Sequence, residues 1–473
     1  MENNTDNLQK VRIGINKSAD VIVSTMGGLG KNVLIFDTNK MTFTKDGVSV
    51  ANNIKFSDPE ENAGARLLIN AANKTVEQCG DGTTLTSLFV REFMNRMISE
   101  IQNRPINEVI EETRDAINQI IEKLNARAIK IESLEDISRI ANTSAKSSRI
   151  ALLIEEIYRK TGFKANITVE LPKHNDKTYY EITEGLSFDG GMVHHKFANQ
   201  ENGTCIFENA LVYIVEEPAE SPEDYIDLFE KIHQTNVPIL MIAPSYSDRF
   251  VINMATNAAR GLKICLVRTP GYGSGIKENV KDIKAFLSSN QANKVVVDQY
   301  GFIIYNNPDK NAIKKRCRQL ESMIEVATES FYADDYKERI NRLNQSSAII
   351  YVGGVTEKNA KEEFDRIEDA VGAVKSAFKS GYVRGAGVEL AHIANELLLP
   401  KSADYVRDIL RMPFNQIMTN SNLSIPLNSI PYNVTTKQYD ENIIDPVYII
   451  ETALINSFAL IELIINTSYL IYE

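Results

Sequence analysis

Three carboxylates stand beside turns that could cradle a polyphosphate. They are Asp46 in Thr44-Lys45-Asp46-Gly47-Val48-Ser49-Val50, Asp81 in Gly80-Asp81-Gly82-Thr83-Thr84, and Asp369 in Ile367-Glu368-Asp369-Ala370. A carboxylate offers the hard oxygen that Mg²⁺ prefers, and free amides at a glycine turn or helix start attract phosphate. Acids beside such turns are the chemistry of a magnesium-dependent nucleotide hydrolase. Gly-Asp-Gly by itself also reads as an ordinary turn.

The elements around Asp81 follow from local rules. Asp58-Pro59-Glu60-Glu61 predicts a helix start, with Asp58 as N-cap and Pro59 at the first helical position, where its missing N–H costs nothing. That helix should run to about Cys79. Gly80 and Gly82 then let the backbone turn sharply, and Thr83-Thr84 opens a second apolar helix through Leu88, Phe89 and Phe93. Upstream, Val21 to Asn32 is a helix-like run ending in the glycines Gly27, Gly28 and Gly30, followed by a strand over Val33–Phe36. It is not a P-loop: the first glycine of that motif is missing, and Asn32 replaces the Ser or Thr that would hold magnesium.

Strands such as Ala210–Val215 and Ile239–Ala243 alternate with helices in the middle of the chain, whereas both ends are dominated by helices. Apolar residues at Ile313, Cys317, Leu320, Ile324, Ala327 and Phe331, then Tyr336, Ile340 and Leu343, predict a helical hairpin. No solenoid repeat or low-complexity segment stands out.

At 473 residues, with 43% apolar and 24% charged side chains, the chain exceeds one domain and can build several cores. A net charge of −11, with no basic run interleaved with aromatics, argues against a general nucleic-acid binder. Cys79, Cys205, Cys265 and Cys317 lack the spacing of a disulfide framework or a zinc site, so a reducing cytoplasm is the expected compartment. Met1–Lys10 is unlike a signal or transit peptide. The apolar stretch Ile449–Ile471 is interrupted by Glu451, Asn456, Glu462 and Asn466, and reads as a buried helix rather than a membrane span.

Seven segments in order resemble the group I, GroEL-like chaperonins over nearly the whole chain: Thr44–Ala51, Gly80–Thr84, Gly185–Gly191, Thr269-Pro270-Gly271-Tyr272-Gly273, Arg366–Ala370, Gly385–Val388 and Ile444–Pro446. The resemblance implies an α+β multidomain chaperonin fold. A mostly α equatorial ATP-binding domain would comprise residues 1–127 and 382–473. A small α/β intermediate hinge domain would comprise 128–184 and 348–381, and an α/β apical polypeptide-binding domain 185–347.

The resemblance also implies an ATP hydrolase that folds proteins. Asp46 and Asp369 would be catalytic and Asp81 the Mg²⁺ ligand. Thr25, Met26, Gly27, Lys45, Gly82, Thr83, Thr84, Ala386, Asn433, Ile443 and Asp445 would surround ATP, with Thr25, Lys45 and Thr84 around a monovalent cation such as K⁺. Asp445, before Pro446, also reads as a plain helix N-cap. Because Asp369 belongs to the hinge segment, hydrolysis would be coupled to a domain movement.

Non-native polypeptides would be captured by Met192, Phe197, Ile226, Phe229, Val251 and Ala255, with Thr256 at a seventh position, as an exposed apolar surface. Ile226 and Phe229, at helical spacing, also read as core. His194 and His195 read as surface histidines. The implied partners are further copies of the chain, in a ring of about seven subunits, single or double, with or without a co-chaperonin lid. No nucleic acid or membrane is expected.

Departures from the family pattern are specific. Gly28 and Leu29 replace a Pro and a Lys, Ala386 replaces the middle glycine of a triplet, Gln345-Ser346 replaces paired glycines, Gly190 replaces a basic residue, and Lys130 replaces a hinge proline. The chain is shortened between Phe286 and Ser347 and between Leu399 and Asp445, and it lacks a Gly-Met-rich tail. That resembles the reduced chaperonins of some large bacteriophages. Two other readings stay open: a holdase or structural ring without turnover, which would not need the three acids, and a small-molecule phosphotransferase, for which no acceptor pocket is recognisable.

Overall fold

The computed structural model describes residues 4–467 apart from 38–39, 164, 173–175, 201–202, 272–273, 288, 327–329 and 345. Tyr272 and Gly273 of the apical motif, Ala327, Gln345, the Phe331 side chain and the apolar stretch beyond Thr467 lie outside the described residues.

Two units share the chain. One gathers Met1–Glu156, Leu171–Thr178 and Val352–Glu473, and the other gathers Ile157–Glu170 and Tyr179–Tyr351. The first is helical. Its core is made by the helices Asn4–Val23, Pro59–Cys79, Thr83–Ile101, Ile106–Arg127, Tyr405–Asn420 and Val447–Ile465, which bury Ile15, Leu68, Phe93, Leu124, Ile409 and Leu454 together. Glycines set the closest crossing. A Cβ on Gly64 would stand 2.2 Å from the Val11 carbonyl oxygen, and one on Gly14 would stand 1.9 Å from that of Glu61. The first helix therefore touches Pro59–Cys79 backbone to backbone.

Local rules set the helix boundaries. The Asp58 carboxylate accepts the Glu60 and Glu61 amides, Pro59 opens the helix, and Gly80 ends it at φ 74°. Gly82 (φ 113°) then starts Thr83–Ile101, as the two-glycine spacing predicts. The helix Val447–Ile465 is long and apolar enough to cross a membrane by length and composition, yet 67% of it is buried inside the protein. Its polar residues are used there: Asn456 Nδ2 donates to Thr75 Oγ1 (3.1 Å) and Gln78 Oε1 (3.0 Å), and Ser457 Oγ donates to the Thr86 carbonyl (3.1 Å). That is the pattern of a core helix.

The second unit is built on an eight-stranded mixed sheet. Its spatial order is Asn166–Glu170, Ser346–Tyr351, Tyr179–Asp189, Gly301–Asn306, Gln291–Val297, Cys205–Ile214, Ile239–Ala243 and Ile264–Arg268. Cys205–Ile214, Ile239–Ala243 and Ile264–Arg268 run parallel, and every residue of Ile239–Ala243 is buried, as expected of a parallel strand covered on both faces.

The expected helical hairpin is Lys310–Val326 and Ser330–Leu343. It is tied to the helix Ser274–Leu287 by a buried ionic cluster. Asp282 accepts Arg316 Nε at 2.7 Å and Arg339 Nε at 2.8 Å, while Glu278 takes Arg316 Nη2 at 2.7 Å. Both carboxylate oxygens of Asp282 are engaged, while Arg339 Nη2 is buried without a hydrogen bond and lies 3.8 Å from Glu278 Oε2, so the cluster offsets only part of its desolvation cost.

Candidate functional site

Asp46, Asp81 and Asp369, separated by up to 323 residues of sequence, converge within the helical unit. Asp46 caps the short helix Gly47–Asn52, accepting the Val48 amide on Oδ1 (3.3 Å) and the Ser49 amide on Oδ2 (2.6 Å). Its orientation is thus fixed by backbone. Asp81 accepts the Gly82 amide on Oδ1 (2.5 Å) and the Ser144 hydroxyl on Oδ2 (2.9 Å).

Asp369 is delivered by the helix Glu357–Ser380, which sits directly on the turn before Asp81. A Cβ on Gly372 would lie 2.6 Å from Gly80 Cα, and the Ser376 hydroxyl donates to the Cys79 carbonyl at 2.8 Å. Both contacts are on the face that carries Asp369, one turn away.

These carboxylates keep part of their surface open to water while dense protein walls them in, the condition of a groove. Burial pushes the Asp369 carboxyl well above the usual range, and the charges of Asp81 and Asp46 add to the effect. Burial also raises Asp81, against the opposing hydrogen bonds from Ser144 and Gly82. Asp445 is pushed up to about 6 by burial and then by Asp81, although the Ala386 and Gly387 amides bond to it. Asp445 is therefore no N-cap: it lies in the short strand Ile444–Pro446 opposite Val383, and Pro446 precedes the helix without a side-chain cap.

The donor set fits one hard divalent cation shared with phosphate oxygens. The described residues hold no cluster of three metal-ligating side chains, and Mg²⁺ characteristically takes one or two carboxylates and leaves its other positions to substrate and water. Asp81, anchored on both oxygens, could offer one such carboxylate.

Of the other expected residues, Thr83, Thr84 and Asp445 lie beside these acids. Thr25 is buried and donates to the Ile22 carbonyl (2.7 Å), and Thr83 is buried at the helix start. Thr84 Oγ1 lies where a Cβ on Gly47 would reach to 2.9 Å, so the Lys45–Gly47 turn packs on the Thr83-Thr84 helix start. Gly27 turns at φ 84° against Ile417, and Met26 and Ala386 pack on the cluster of Val388, Phe414 and Val434. The Ile443 carbonyl accepts the Gly385 amide at 2.9 Å. Asn433 is committed to its own turn, accepting the Thr435 and Thr436 amides and donating to Asp440.

Ala386 is strained. At φ 55° it occupies the left-handed region, where an L side chain is disfavoured. Ala386→Gly is expected to stabilise the protein by about 1 kcal/mol, the strain relieved exceeding the added backbone entropy. A lower thermal midpoint for the variant would show instead that the methyl group's packing outweighs the strain.

The expected polypeptide-binding residues divide. Met192, Phe197 and Ala255 are core, with 9%, 3% and 2% of their surface exposed, which corrects their assignment to an open surface. The cause is local: the Met192 amide bonds the Asp298 carbonyl (2.8 Å), Phe197 is folded inward by a short turn, and Ala255 shares the inner face of the helix Asp248–Ala259 with Phe250 and Met254. Ile226 is exposed at 49%, and Phe229 and Val251 are half-buried. Ile252, which sequence reasoning passed over, is exposed at 63%, as the helical period placing Phe250 inside requires. Thr256 is also exposed. His194 and His195 stack at 4.4 Å, with His194 Nδ1 accepting the Lys196 amide.

Sequence reasoning also missed Ser144 and Lys146, which end the helix Leu134–Ala145 beside Asp81. No local motif marks them. Lys146 stands at φ 52° and is exposed, yet desolvation by the surrounding protein lowers its ammonium from the usual lysine range, against the pull of Asp81 and Asp369.

Comparison with known proteins gives a consistent result. The model of the TCP-1/cpn60 chaperonin family matches residues 19–419. Two crystal forms of the chaperonin gp146 from bacteriophage EL (Pseudomonas aeruginosa), both in the presence of ATP-BeFx, align over 98% of this chain and 97% of that one. The identity is 22%, and the TM-scores are 0.73 and 0.65. A group III chaperonin in the open state aligns over 99% of this chain and 100% of its own, at 14% identity and a TM-score of 0.57. The fold described above is the chaperonin fold.

Proposed function

The chain belongs to the TCP-1/cpn60 chaperonin family, and on that premise we propose that it is an ATP-driven protein-folding machine of the group I type. The observation that carries this reading is the delivery of Asp369 onto the groove that holds Asp46 and Asp81. A protein that only held its clients would gain nothing from three mutually repelling carboxylates around a phosphate-sized turn.

In this reading Asp81 holds Mg²⁺, and Asp46 and Asp369 orient and deprotonate the attacking water. The cation, when bound, offsets phosphate charge that the carboxylates would otherwise repel. Thr83, Thr84, Gly82, Gly27 and Lys45 bind the phosphates. Oxygens of Thr25, Lys45 and Thr84 surround K⁺, and Ala386, Ile443 and Asp445 flank the nucleoside. The three-domain division at residues 127/128, 184/185, 347/348 and 381/382 belongs to this proposal. Clients are captured on Ile226, Phe229 and Val251, with Ile252 added. ATP drives release by binding the capturing and releasing states with different affinity.

Assembly into a homo-oligomeric ring is supported by the hairpin Val33–Asp37 and Lys40–Thr44. This two-stranded sheet leaves Leu34, Phe36, Met41 and Phe43 at least 46% exposed, an apolar surface suited to burial by another subunit. The shortened segments favour a phage-type chaperonin working as a single ring in a bacterial cytoplasm.

The test is refolding of a denatured client by the purified protein with Mg²⁺ and ATP, ADP or no nucleotide, with particle mass measured in the same samples. Recovery that needs ATP, from a ring-sized particle, is the expected result. Client binding without ATP hydrolysis would leave a holdase and overturn the proposal.

A further inference from the structure

We propose that Arg139 is a positioning residue for the nucleoside. From the helix Leu134–Ala145 it holds the turn 440–442, and so fixes Asn433, Ile443 and Asp445, three of the residues expected around ATP. This deepens the nucleotide reading of the groove and rests on it.

The guanidinium is oriented before it meets the turn. It lies over the Tyr382 ring, 5.8 Å from its centre, and Nη1 stands 3.7 Å from Asp136 Oδ1, one turn earlier on the same helix. Tyr382 and Asp136 are themselves joined, the phenol donating to that Oδ1 at 2.9 Å, while Asp136 Oδ2 accepts the Ser133 amide and hydroxyl at the helix start. An aromatic face and a carboxylate thus aim the planar fork, and Nη2 donates to the Glu441 carbonyl at 2.5 Å, across 302 residues of sequence.

That bond grips the segment carrying the expected nucleoside residues. Asp440 Oδ2 accepts Asn433 Nδ2 at 3.1 Å and Asp440 Oδ1 accepts the Asn442 amide at 3.0 Å, so the hairpin of Tyr432–Asn433 and Gln438–Tyr439 moves with the turn. Ile443 follows at once, its carbonyl accepting the Gly385 amide at 2.9 Å. The strand Ile444–Pro446 then pairs with Tyr382–Arg384, placing Asp445 opposite Val383. Arg139 therefore meets this segment twice, at Glu441 directly and through Tyr382 on the partner strand.

Core packing does not explain the arrangement. Glu441 is exposed, so its carbonyl has water available and does not need the arginine. Arg139 Nε, by contrast, is buried without a hydrogen bond, an unfavourable state for a donor. A surface turn is held at the cost of a buried, unpaired N–H. Holding it has a use if the turn must be ordered before a nucleoside arrives, because a preordered loop loses less conformational freedom on binding.

Arg139→Met keeps an unbranched side chain over Tyr382 and removes the unpaired Nε together with the bond to Glu441, so the thermal midpoint without nucleotide should change little. Binding of labelled ADP with Mg²⁺ to the full-length protein, and its displacement by inorganic tripolyphosphate, are then measured. ADP should bind roughly tenfold more weakly, while the inhibition constant of tripolyphosphate, which has no nucleoside, stays the same. Arg139→Lys should recover part of the loss, since a donor to Glu441 remains while the planar stack on Tyr382 does not; it also serves the same comparison should the methionine variant not fold. Unchanged ADP affinity would overturn the assignment of Arg139. So would an equal weakening of tripolyphosphate, the mark of a disturbed helix Leu134–Ala145 that has drawn Ser144 off Asp81. An unmodified protein that does not bind ADP would overturn the nucleotide reading of the groove itself.

Discussion

Asp369→Asn is expected to reduce ATP turnover by at least ~100-fold, the usual contribution of a positioned general base, while nucleotide affinity is kept or improved. Asparagine preserves the shape of the side chain but cannot accept the proton of an attacking water. It also removes a charge from a groove where burial, Asp81 and Asp46 together raise the Asp369 carboxyl well above its usual range.

The sign of the effect on stability separates this from simple damage. A carboxyl whose pKa is raised on folding binds its proton more readily in the native state, so native stability falls as pH rises above the ordinary carboxylate range. Asp369→Asn should therefore raise the thermal midpoint of the nucleotide-free protein near neutral pH and do so less under acidic conditions. Single-turnover hydrolysis and thermal unfolding of the same preparation check both halves. Turnover close to that of the unmodified protein would remove Asp369 from the chemistry.

What could be read from the sequence was what depends on a few consecutive residues. Asp58-Pro59 and the glycines at 80 and 82 state their caps and turns outright, and the structure places the helix ends there. The period of apolar residues between Asn311 and Leu343 gave the hairpin in the same way. Contacts between distant segments were not legible. Nothing near Ser144 says that its hydroxyl meets Asp81, because that pairing exists only once the helices pack; the Asp46 cap, by contrast, is local and was passed over.

The burial of Met192, Phe197 and Ala255 was not legible for a related reason. Resemblance transfers residue positions, whereas exposure depends on how each helix is rotated about its axis. In Asp248–Ala259 that rotation buries Ala255 and exposes Ile252. Ala386 and Lys146 are positive-φ residues without glycine, a state that single-sequence propensity argues against and that tertiary contacts impose.

Gly372→Ala should separate nucleotide binding from hydrolysis by geometry alone. The helix Glu357–Ser380 reaches the groove by resting Gly372 on Gly80, where an added Cβ would stand 2.6 Å from the Gly80 Cα. Non-bonded carbons settle at about 3.5–4.0 Å, so the helix must lift by roughly 1 Å. Asp369, one turn away on the same face, lifts with it, and a misplacement of ~1 Å can cost ~100-fold in rate. The helix is not weakened by the change, because alanine is a better helix former than glycine by about 1 kcal/mol in a helix interior. Lost turnover therefore cannot be ascribed to unwinding. The side chains of Asp46, Lys45, Asp81 and Thr83 are unchanged and the strain falls on the Gly80 backbone before Asp81, so nucleotide affinity should fall far less than turnover. Unlike Asp369→Asn, this variant keeps every carboxylate, and its thermal midpoint should not show the acid-dependent gain. Rapid-quench hydrolysis alongside equilibrium nucleotide binding measures both quantities. Turnover within about threefold of the unmodified protein, well short of the loss that a ~1 Å displacement implies, would mean that Asp369 reaches the nucleotide without the Gly80–Gly372 seat.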